Sequence, residues 1–156
     1  MTFDIRPATH TDIPRLIELS TALSQEDGGL HGEAINHQWA QDFGTNSFAR
    51  SIDDSNSHII VAEIADQIVG SLHGYLRTTP SWRSVDIGVI ISIFVEPAFR
   101  SAGLGAELVS VFSSWARASG AERLAVTAFA TNQGAIGFYE REGFRRFEVT
   151  LEKELA

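Results

Sequence analysis

The sequence predicts a single α/β domain over residues 1–156, in which helices flank a mixed β-sheet. Three patterns point to this class. The chain opens with a short strand and a helix, its middle carries an antiparallel hairpin, and its second half alternates strand, helix, strand, helix, strand. No linker or internal repeat divides it, and 44% hydrophobic with 21% charged residues is typical of a folded protein.

The first half is interpreted as strand, helix, helix and hairpin. "FDIRPAT" predicts the first strand, and "THTDIPRLIELSTAL" predicts a helix capped by Thr11. The paired glycines of "SQEDGGLHG" are expected to end that helix, and "EAINHQWAQDFGTNSFARSI" predicts a weaker helix interrupted by Gly44. The β-branched runs from Ser57 onward, separated by the polar "DQ", indicate an antiparallel hairpin before the loop "TTPSWRS".

The second half is centred on "VDIGVIISIFVEP", where Ser92 is the one polar residue between Ile87 and Val95. Because this strand lacks alternation, we expect both of its faces to be covered at the centre of the sheet, with Pro97 ending it. An amphipathic helix closed by Gly120 follows. The strand "ERLAVTAFA", a short helix "NQGAIGFYERE" closed by Gly143 and a last strand or hairpin "FRRFEVTLEKEL" complete the predicted order.

Composition narrows the function classes. A formal charge of −8 repels nucleic acid and favours either a cationic small molecule or simple solubility. The N-terminus has no basic segment followed by an apolar one, and no apolar run is long enough to span a bilayer, so we expect a cytoplasmic protein without a membrane partner. The absence of cysteine excludes disulfides and thiolate chemistry. No metal is predicted, because ligand spacing is lacking around His31, His37, His58 and His73.

Two glycines, Gly103 and Gly105, lie in "FRSAGLGAELV", between the buried strand and the amphipathic helix. Such a turn exposes backbone N–H groups at the positive end of a helix, where phosphate binds; a tight turn with close packing is the structural alternative. Leu108 at the third glycine position excludes a dinucleotide fingerprint. A P-loop is excluded because Lys153 is the only lysine. Arg100 is spaced to accompany an anion held by this loop.

The segment "RSAGLG", Arg100 to Gly105, resembles the acyl-CoA-binding signature R/Q-x-x-G-x-G/A of the GNAT superfamily of N-acetyltransferases. "TNQGAIGFYEREGF" is similar to a later segment of that family, and the order of elements agrees over nearly the whole chain. The resemblance implies a GNAT-like three-layer fold with a mostly antiparallel central sheet. The fourth and fifth strands, Ile87 to Glu96 and Glu122 to Ala130, are then expected to splay apart.

The resemblance also implies an acetyl-CoA site built mainly from backbone. Loop amides would hold the pyrophosphate, the central strand would pair with the pantetheine arm as with an added strand, and an N–H near Val95 would polarise the acetyl carbonyl. Asn132 would hydrogen-bond the same arm. The expected cofactor-binding residues are Ile93, Phe94, Val95, Arg100, Ser101, Ala102, Gly103, Leu104, Gly105, Ala106 and Asn132.

Tyr139 is the candidate catalytic residue. It lies seven residues after Asn132, so that both side chains share one face of a helix. The resemblance implies that Tyr139 protonates the leaving CoA thiolate, whereas a core aromatic and a helix cap are the structural alternatives. The positions at which some family members carry a carboxylate base are Ile90, Ile91 and Ser92 here, so water ordered by Ser92, Glu63 or Asp86 is expected instead.

The expected activity is direct transfer of acetyl from acetyl-CoA to a primary amine of a small molecule, through a ternary complex. Glu26 and Asp27 would hold a second ammonium of a polyamine-like or aminoglycoside-like acceptor, or form a solvated acidic loop. An acyl-CoA-binding sensor and an acetyltransferase of protein or peptide amines remain as alternatives. A homodimer is also left open.

Overall fold

A computed structural model describes residues 2–30 and 34–156. Five strands form one sheet in chain order: β1 (Asp4–Pro7), β2 (Ser57–Ile64), β3 (Gln67–Arg77), β4 (Ile87–Val95) and β5 (Arg123–Val126). The strands pair antiparallel from β1 to β4, and β4 pairs parallel with β5. The helices are α1 (Ile13–Leu30), α2 (Trp39–Asp53), α3 (Leu104–Ala118) and α4 (Gln133–Arg141). The predicted class, a mostly antiparallel mixed sheet flanked by helices, is confirmed.

The two faces of the sheet are buried against different helices, which makes three layers. One core lies under α1 and α2 and contains Ile13, Leu16, Leu19, Phe48, Ile59, Val61 and Phe94. The other lies under α3 and contains Ile60, Leu72, Ile90, Leu104, Leu108 and Phe112. Both faces of β4 are therefore covered over most of its length, as its lack of alternation predicts.

Helix α3 lies close to the sheet because β3 and β4 each carry a glycine beneath it. A Cβ placed on Gly74 would collide with the ring of Phe112 and lie 2.7 Å from the Val89 carbonyl oxygen. A Cβ on Gly88 would lie 2.8 Å from the Cβ of Ala116. Phe112 is fully buried, so it has no room to move aside.

Helix α1 departs from the prediction at both ends. It is preceded by a 3-10 turn, His10–Asp12, that begins after Thr9, whose backbone N–H donates to Asp12 Oδ2 at 2.8 Å. Thr11 lies inside that turn, so its assignment as the cap is wrong. The helix also continues through the paired glycines to Leu30, because tertiary contacts of its last turns offset a glycine cost of about 1 kcal/mol each.

The interruption predicted in the second helix is also wrong. Gly44 lies inside α2, where a Cβ would be 3.1 Å from Ile17 Cγ1, so this glycine brings α2 close to α1. The helix begins at Trp39, later than predicted.

The hairpin and the glycine ends of the later helices are confirmed, but the C-terminal strand is not. Gly120 and Gly143 follow α3 and α4 with φ of +99° and +96°. Strand β5 is shorter than its predicted range. Residues 145–156 form neither strand nor helix and pair with no strand in the described part of the chain.

Candidate active site

Strands β4 and β5 separate halfway along β4. They pair over four positions, from Ile87 opposite Arg123 to Ile90 opposite Val126. On its other edge β4 stays paired with β3 as far as Val95, which lies opposite Gly70. Residues 91–95 therefore present one backbone edge to an opening between β4 and β5, and the predicted splay is confirmed.

A β-bulge marks the start of this opening. On β3, His73 lies opposite Ser92 and Gly74 lies opposite Ile90, so that Ile91 has no partner across the β3–β4 ladder. The side chain of Ile91 is 55% exposed although its strand is central. Bulges re-aim side chains and end regular pairing beside functional sites. No glycine or other local signal at Ile91 predicts this bulge from the sequence.

The loop before α3 has the form of an anion site. Gly103, at φ +81°, is the residue before the helix, and Ser101 also has a positive φ of +68°. The first intrahelical bond runs from the Glu107 N–H to the Gly103 carbonyl, so the preceding amides lack helical acceptors. A Cβ on Gly103 would meet nothing within 4 Å. An anion thus has room to reach the positive end of the fifteen-residue α3.

The side chains of the predicted cofactor residues on β4 and α3 are mostly structural. Phe94 is buried in the core under α1 and α2, while Ile93 and Val95 pack partly buried against the opposite core. Leu104 is 1% exposed, so only its amide is available to a ligand. Ser101 and Ala102 are exposed, and Gly105 and Ala106 are half-buried. Apart from the exposed Ser101 hydroxyl, these residues therefore offer a ligand mainly backbone groups.

Arg100 connects the end of β4 to the end of α1. Its Nε donates to the Val95 carbonyl at 2.8 Å, and Nη1 and Nη2 each donate to one carboxylate oxygen of Glu26 at 2.9 Å. The guanidinium also lies 5.3 Å from the centroid of the Phe94 ring. A predicted cofactor residue and a predicted substrate residue are thus joined in one bidentate ion pair, and the charge of Glu26 is already matched.

Tyr139 lies in α4 within an aromatic group. Its ring centroid is 5.2 Å from that of Phe138 and 5.6 Å from that of Phe144, both edge-on. Burial, together with the negative charge of Asp27, raises the pKa of Tyr139 to about 12. The phenol consequently stays protonated at neutral pH and is able to donate a proton. The carboxylate of Asp27, near the end of α1, is thus within electrostatic range of the phenol.

Asn132 caps α4. Its Oδ1 accepts a hydrogen bond from the Ala135 N–H at 3.0 Å, which fixes the start of the helix that carries Tyr139. The side-chain NH₂ takes no part in this bond. The capping alternative is therefore observed, and it is compatible with a donor role toward a ligand.

The residues considered for ordering a water as base lie in different places. Asp86 precedes the first residue of β4 and accepts a hydrogen bond from the Thr79 N–H at 2.8 Å. Glu63 lies on β2 and accepts a hydrogen bond from Arg6 at 3.0 Å. Ser92 alone among the three lies on the part of β4 that β5 leaves unpaired.

His73 has a distinctive environment that its neighbours in sequence do not reveal. Its Nε2 is buried and has no hydrogen-bond partner in the described part of the chain. A cavity of about 10 Å³ borders it, lined among others by Ser20, Ser71, Ser92 and Phe94. Burial lowers the pKa of His73 to about 4, so the ring is neutral at pH 7.

The other histidines lie apart from it. His37 bonds to Ser24 at 2.9 Å, and His58 stacks on Trp115 with ring centroids 4.7 Å apart. His31 falls outside the described residues. Within residues 2–30 and 34–156, no three potential ligand side chains of the His, Cys, Asp or Glu type gather as a metal site would need. None of the described helices combines the length and the apolarity that a membrane span requires.

Solved structures share this fold at low sequence identity. A mutant of the BH1408 protein from Bacillus halodurans has a TM-score of 0.87 at 19% identity, covering 98% of this chain and 99% of that one. The aminoglycoside N-acetyltransferase AAC(6')-Iy, in complex with the bisubstrate analogue CoA-S-monomethyl-acetylneamine, has a TM-score of 0.79 at 16% identity and covers 100% and 99%. An aminoglycoside acetyltransferase from an uncultured soil metagenomic sample, in complex with sisomicin, has a TM-score of 0.72 at 18% identity and covers 99% and 97%.

Sequence relatives match part of the chain. It is 31% identical over 87 residues to an uncharacterized N-acetyltransferase of Methanocaldococcus jannaschii, covering 53% of this chain and 38% of that protein. It is 35% identical over 66 residues to the uncharacterized N-acetyltransferase YdgE of Bacillus subtilis, covering 42% of each. The chain thus spans about two fifths of the length of these curated relatives. The model of the acetyltransferase (GNAT) family matches residues 21–144, which include the splayed strands, the loop before α3 and α4; the chain belongs to this family.

Proposed function

We propose that the protein transfers the acetyl group of acetyl-CoA directly to a primary amine of a small molecule, with residues 1–156 acting as one transferase domain. One observation carries the proposal. The edge of β4 that β5 leaves unpaired leads into the open helix start at Gly103, and α4, which carries the half-buried, protonated phenol of Tyr139, packs through Phe138 against Gly105 of that helix start. An anionic thioester that releases a thiolate needs both groups.

Acetyl-CoA as co-substrate fits the loop and the strand edge. The amides of residues 101–106 would hold its pyrophosphate, since the space beside Gly103 is open. The unpaired edge of β4 would hydrogen-bond the pantetheine arm as it would an added strand, and the NH₂ of Asn132 would donate to the same arm. Arg100 would brace the loop through its bonds to Val95 and Glu26. AAC(6')-Iy, which shares the fold, is also known in complex with CoA.

The residues around the opening support acyl transfer without a covalent enzyme intermediate. The neutral amine would form a bond to the thioester carbonyl carbon, and a backbone N–H near Val95 would stabilise the developing oxyanion. The carbon–sulfur bond would then break as Tyr139 donates its proton to the sulfur, and the phenol would recover a proton from the acetylated nitrogen. The ammonium form of the amine, with a pKa of about 10.4, must first lose a proton to water. The polar side chain of Ser92, on the same strand as Val95, would orient that water.

The acceptor would be cationic. The carboxylate of Asp27 acts on Tyr139 strongly enough to contribute to its raised pKa, so it lies near the proposed acid. Glu26 and Asp27 both lie near the end of α1, and we propose that their carboxylates attract an ammonium group of the acceptor. The overall charge of −8 favours the same ligands. Aminoglycosides and polyamines are therefore the first acceptors to examine, and two proteins of the same fold are aminoglycoside acetyltransferases.

The test is a panel of aminoglycosides, polyamines, simple monoamines and a lysine peptide, each mixed with acetyl-CoA and followed by thiol release. The chain has no cysteine, so the thiol signal comes from CoA alone. We expect turnover with at least one cationic small amine and no acetylated enzyme by mass spectrometry. Acetyl-CoA binding without turnover on any amine would support the sensor alternative instead, and activity confined to the peptide would support the alternative of protein acetylation.

A further inference from the structure

Three polar side chains lie together on the sheet face that α1 and α2 cover. On β3, Ser71 and His73 are two residues apart and therefore point to the same face. On β4, Ser92 lies opposite His73, and Phe94, two residues further on, lies opposite Ser71. The His73 ring also packs against Phe48 of α2, with ring centroids 5.8 Å apart. The polar group is thus placed beside aromatic residues of the core under α1 and α2.

One buried nitrogen in this group lacks a partner. The Nε2 atom of His73 makes no hydrogen bond within residues 2–30 and 34–156, although it is enclosed by protein. An unpaired buried polar atom lowers stability, and an apolar side chain of similar size would fill the same place without that cost. The sequence nevertheless has histidine here, which indicates that Nε2 has a partner other than a protein atom.

The cavity beside His73 has the size and the lining of a water site. Its volume is about 10 Å³, and the residues around it include Ser20, Ser71 and Ser92. A volume of this order holds one water molecule, which needs two to four polar partners. The ring nitrogen and the three hydroxyls supply that number. In the described part of the chain the remaining lining residues are all apolar, so a water held here would exchange slowly with bulk solvent.

We propose that this cavity holds one buried water, bonded to His73 Nε2 and to the Ser92 hydroxyl, and that His73 acts through it to position Ser92 for acetyl transfer. This role rests on the proposed function, in which Ser92 orients the water that takes a proton from the amine. A water molecule both donates and accepts hydrogen bonds, so it pairs with Nε2 in either tautomer of a neutral ring. His73 is therefore a positioning residue that touches neither the amine nor acetyl-CoA.

Ser92 lies where it can connect the cavity with the opening beside β4. It borders the cavity and is only half-buried, so part of the residue stays exposed. It also follows the bulged residue Ile91 on the part of β4 that β5 leaves unpaired. A serine side chain has three staggered rotamers, and a bond to the buried water would select one of them. Without that bond, the water beside the amine would lose a partner of fixed direction.

The buried water is tested first, by NMR of the folded protein. Excitation of the water resonance should transfer magnetisation to the His73 ring protons with the sign of a long-lived bound water, and His73→Gln identifies the ring signals. Ser71→Val replaces a hydroxyl by methyl groups that fill the cavity, so it should abolish the transfer. Ser57→Val, at a β2 residue outside the lining, is the matched control and should leave it unchanged. No transfer in the parent, or a transfer that Ser71→Val does not reduce, would overturn the water site.

The positioning role is tested with an amine that the parent acetylates. His73→Leu removes the polar atom at similar volume, so we expect kcat to fall about tenfold while the KM for acetyl-CoA stays unchanged. His73→Gln keeps a polar group at the end of the side chain and should restore most of the loss. Circular dichroism at the assay temperature checks that both variants are folded. Equal turnover of the two variants, at the parent rate or below it, would mean that the polar atom does not position the site.

A double-mutant cycle shows whether His73 acts through Ser92. Ser92→Ala already removes the hydroxyl, so adding His73→Leu to it should lower kcat no further. Losses that multiply would mean that His73 acts independently of Ser92, and the positioning role would be wrong. An inactive parent would instead reject acetyl transfer and with it the role of Ser92, while the ring signal would still decide the water site.

Discussion

Glycines on the two sides of β4 have opposite surroundings. On the β3 side, where pairing runs along all of β4 except the bulge at Ile91, Gly74 and Gly88 leave no room for a Cβ because α3 lies directly on them. On the β5 side, where pairing stops after four residues, Gly103 borders open space. We call the β3 side the closed side and the β5 side the open side. On the closed side glycine allows close packing, and on the open side it leaves room for a ligand. Substitutions on the closed side should therefore lower stability, and those on the open side should lower activity or affinity.

The largest effect is expected on the open side, for Tyr139→Phe. Loss of the phenol proton donor should lower kcat about 100-fold, or about 2.7 kcal/mol in the barrier, without changing the affinity for acetyl-CoA. Steady-state kinetics and isothermal titration calorimetry measure the two quantities. Tyr75→Phe is the matched control, since Tyr75 on β3 is the only other tyrosine. Turnover of Tyr139→Phe equal to that of the parent would mean that another group protonates the thiolate.

The next largest effect is expected on the closed side, for Gly74→Ala. The added methyl would press on Phe112 and on the Val89 carbonyl, and overpacking of this kind costs about 1–3 kcal/mol in the free energy of unfolding. Urea denaturation measures the change. Gly88→Ala tests the neighbouring strand in the same way, because its methyl would meet Ala116. If Gly74→Ala unfolds at the parent's midpoint, the closed side is less tightly packed than its geometry indicates.

A smaller effect, on affinity, is expected for Gly103→Val. The branched side chain would occupy the space through which a pyrophosphate reaches the loop amides, so the Kd for acetyl-CoA should rise about tenfold, or about 1.4 kcal/mol. Gly120→Val is the matched control because Gly120, at φ +99°, carries similar backbone strain at the other end of α3. Both variants should lose stability, but only Gly103→Val should lose affinity. Equal affinities would remove the phosphate site from the loop.

The elements that the sequence predicts correctly are determined by residues close together in the sequence. The β-branched runs of the hairpin, the mostly apolar run of β4 and the positive-φ glycines after α3 and α4 are all encoded within a few residues. The elements that the sequence predicts wrongly depend on contacts between residues far apart in the sequence. Beside the glycines at the end of α1, Glu26 pairs with Arg100, 74 residues away, and Gly44 lies in close contact with Ile17 of α1. A C-terminal strand or hairpin is also predicted, but residues 145–156 pair with no strand of the described chain.

The candidate site also contains features that local sequence predicts and features that depend on distant contacts. The loop at Gly103 and the position of Tyr139 are local motifs that the sequence reveals, together with the Asn132 cap. The bulge at Ile91 and the burial of His73 arise from pairing between β3 and β4, which no short pattern encodes. These two features lie across from each other, where the closed side of β4 meets the open one.

The smallest effect concerns the pH dependence of stability on the closed side. The pKa of His73 is about 4 in the folded chain, through burial, against an ordinary value of 6.5 for a histidine in an unfolded chain. Between these pH values the unfolded chain binds a proton that the folded chain lacks, so stability falls as the pH falls. For this residue alone, the free energy of unfolding falls by about 1 kcal/mol between pH 7 and pH 5.5. The decrease ends below pH 4, where His73 is protonated in both the folded and the unfolded chain.

Replacing His73 by Gln should remove the contribution of His73 to the pH dependence of the free energy of unfolding. Asp12, whose pKa is lowered from 3.8 by its bonds to Arg6, loses its stabilising effect only at lower pH, so the two windows are separate. His58, whose pKa burial also lowers, contributes equally to parent and variant. Urea unfolding at pH 7 and 5.5 should thus show a smaller loss of the free energy of unfolding for His73→Gln than for the parent. Equal losses in the two proteins would mean that His73 is protonated in the folded state, and that the cavity beside Ser92 accommodates its charge.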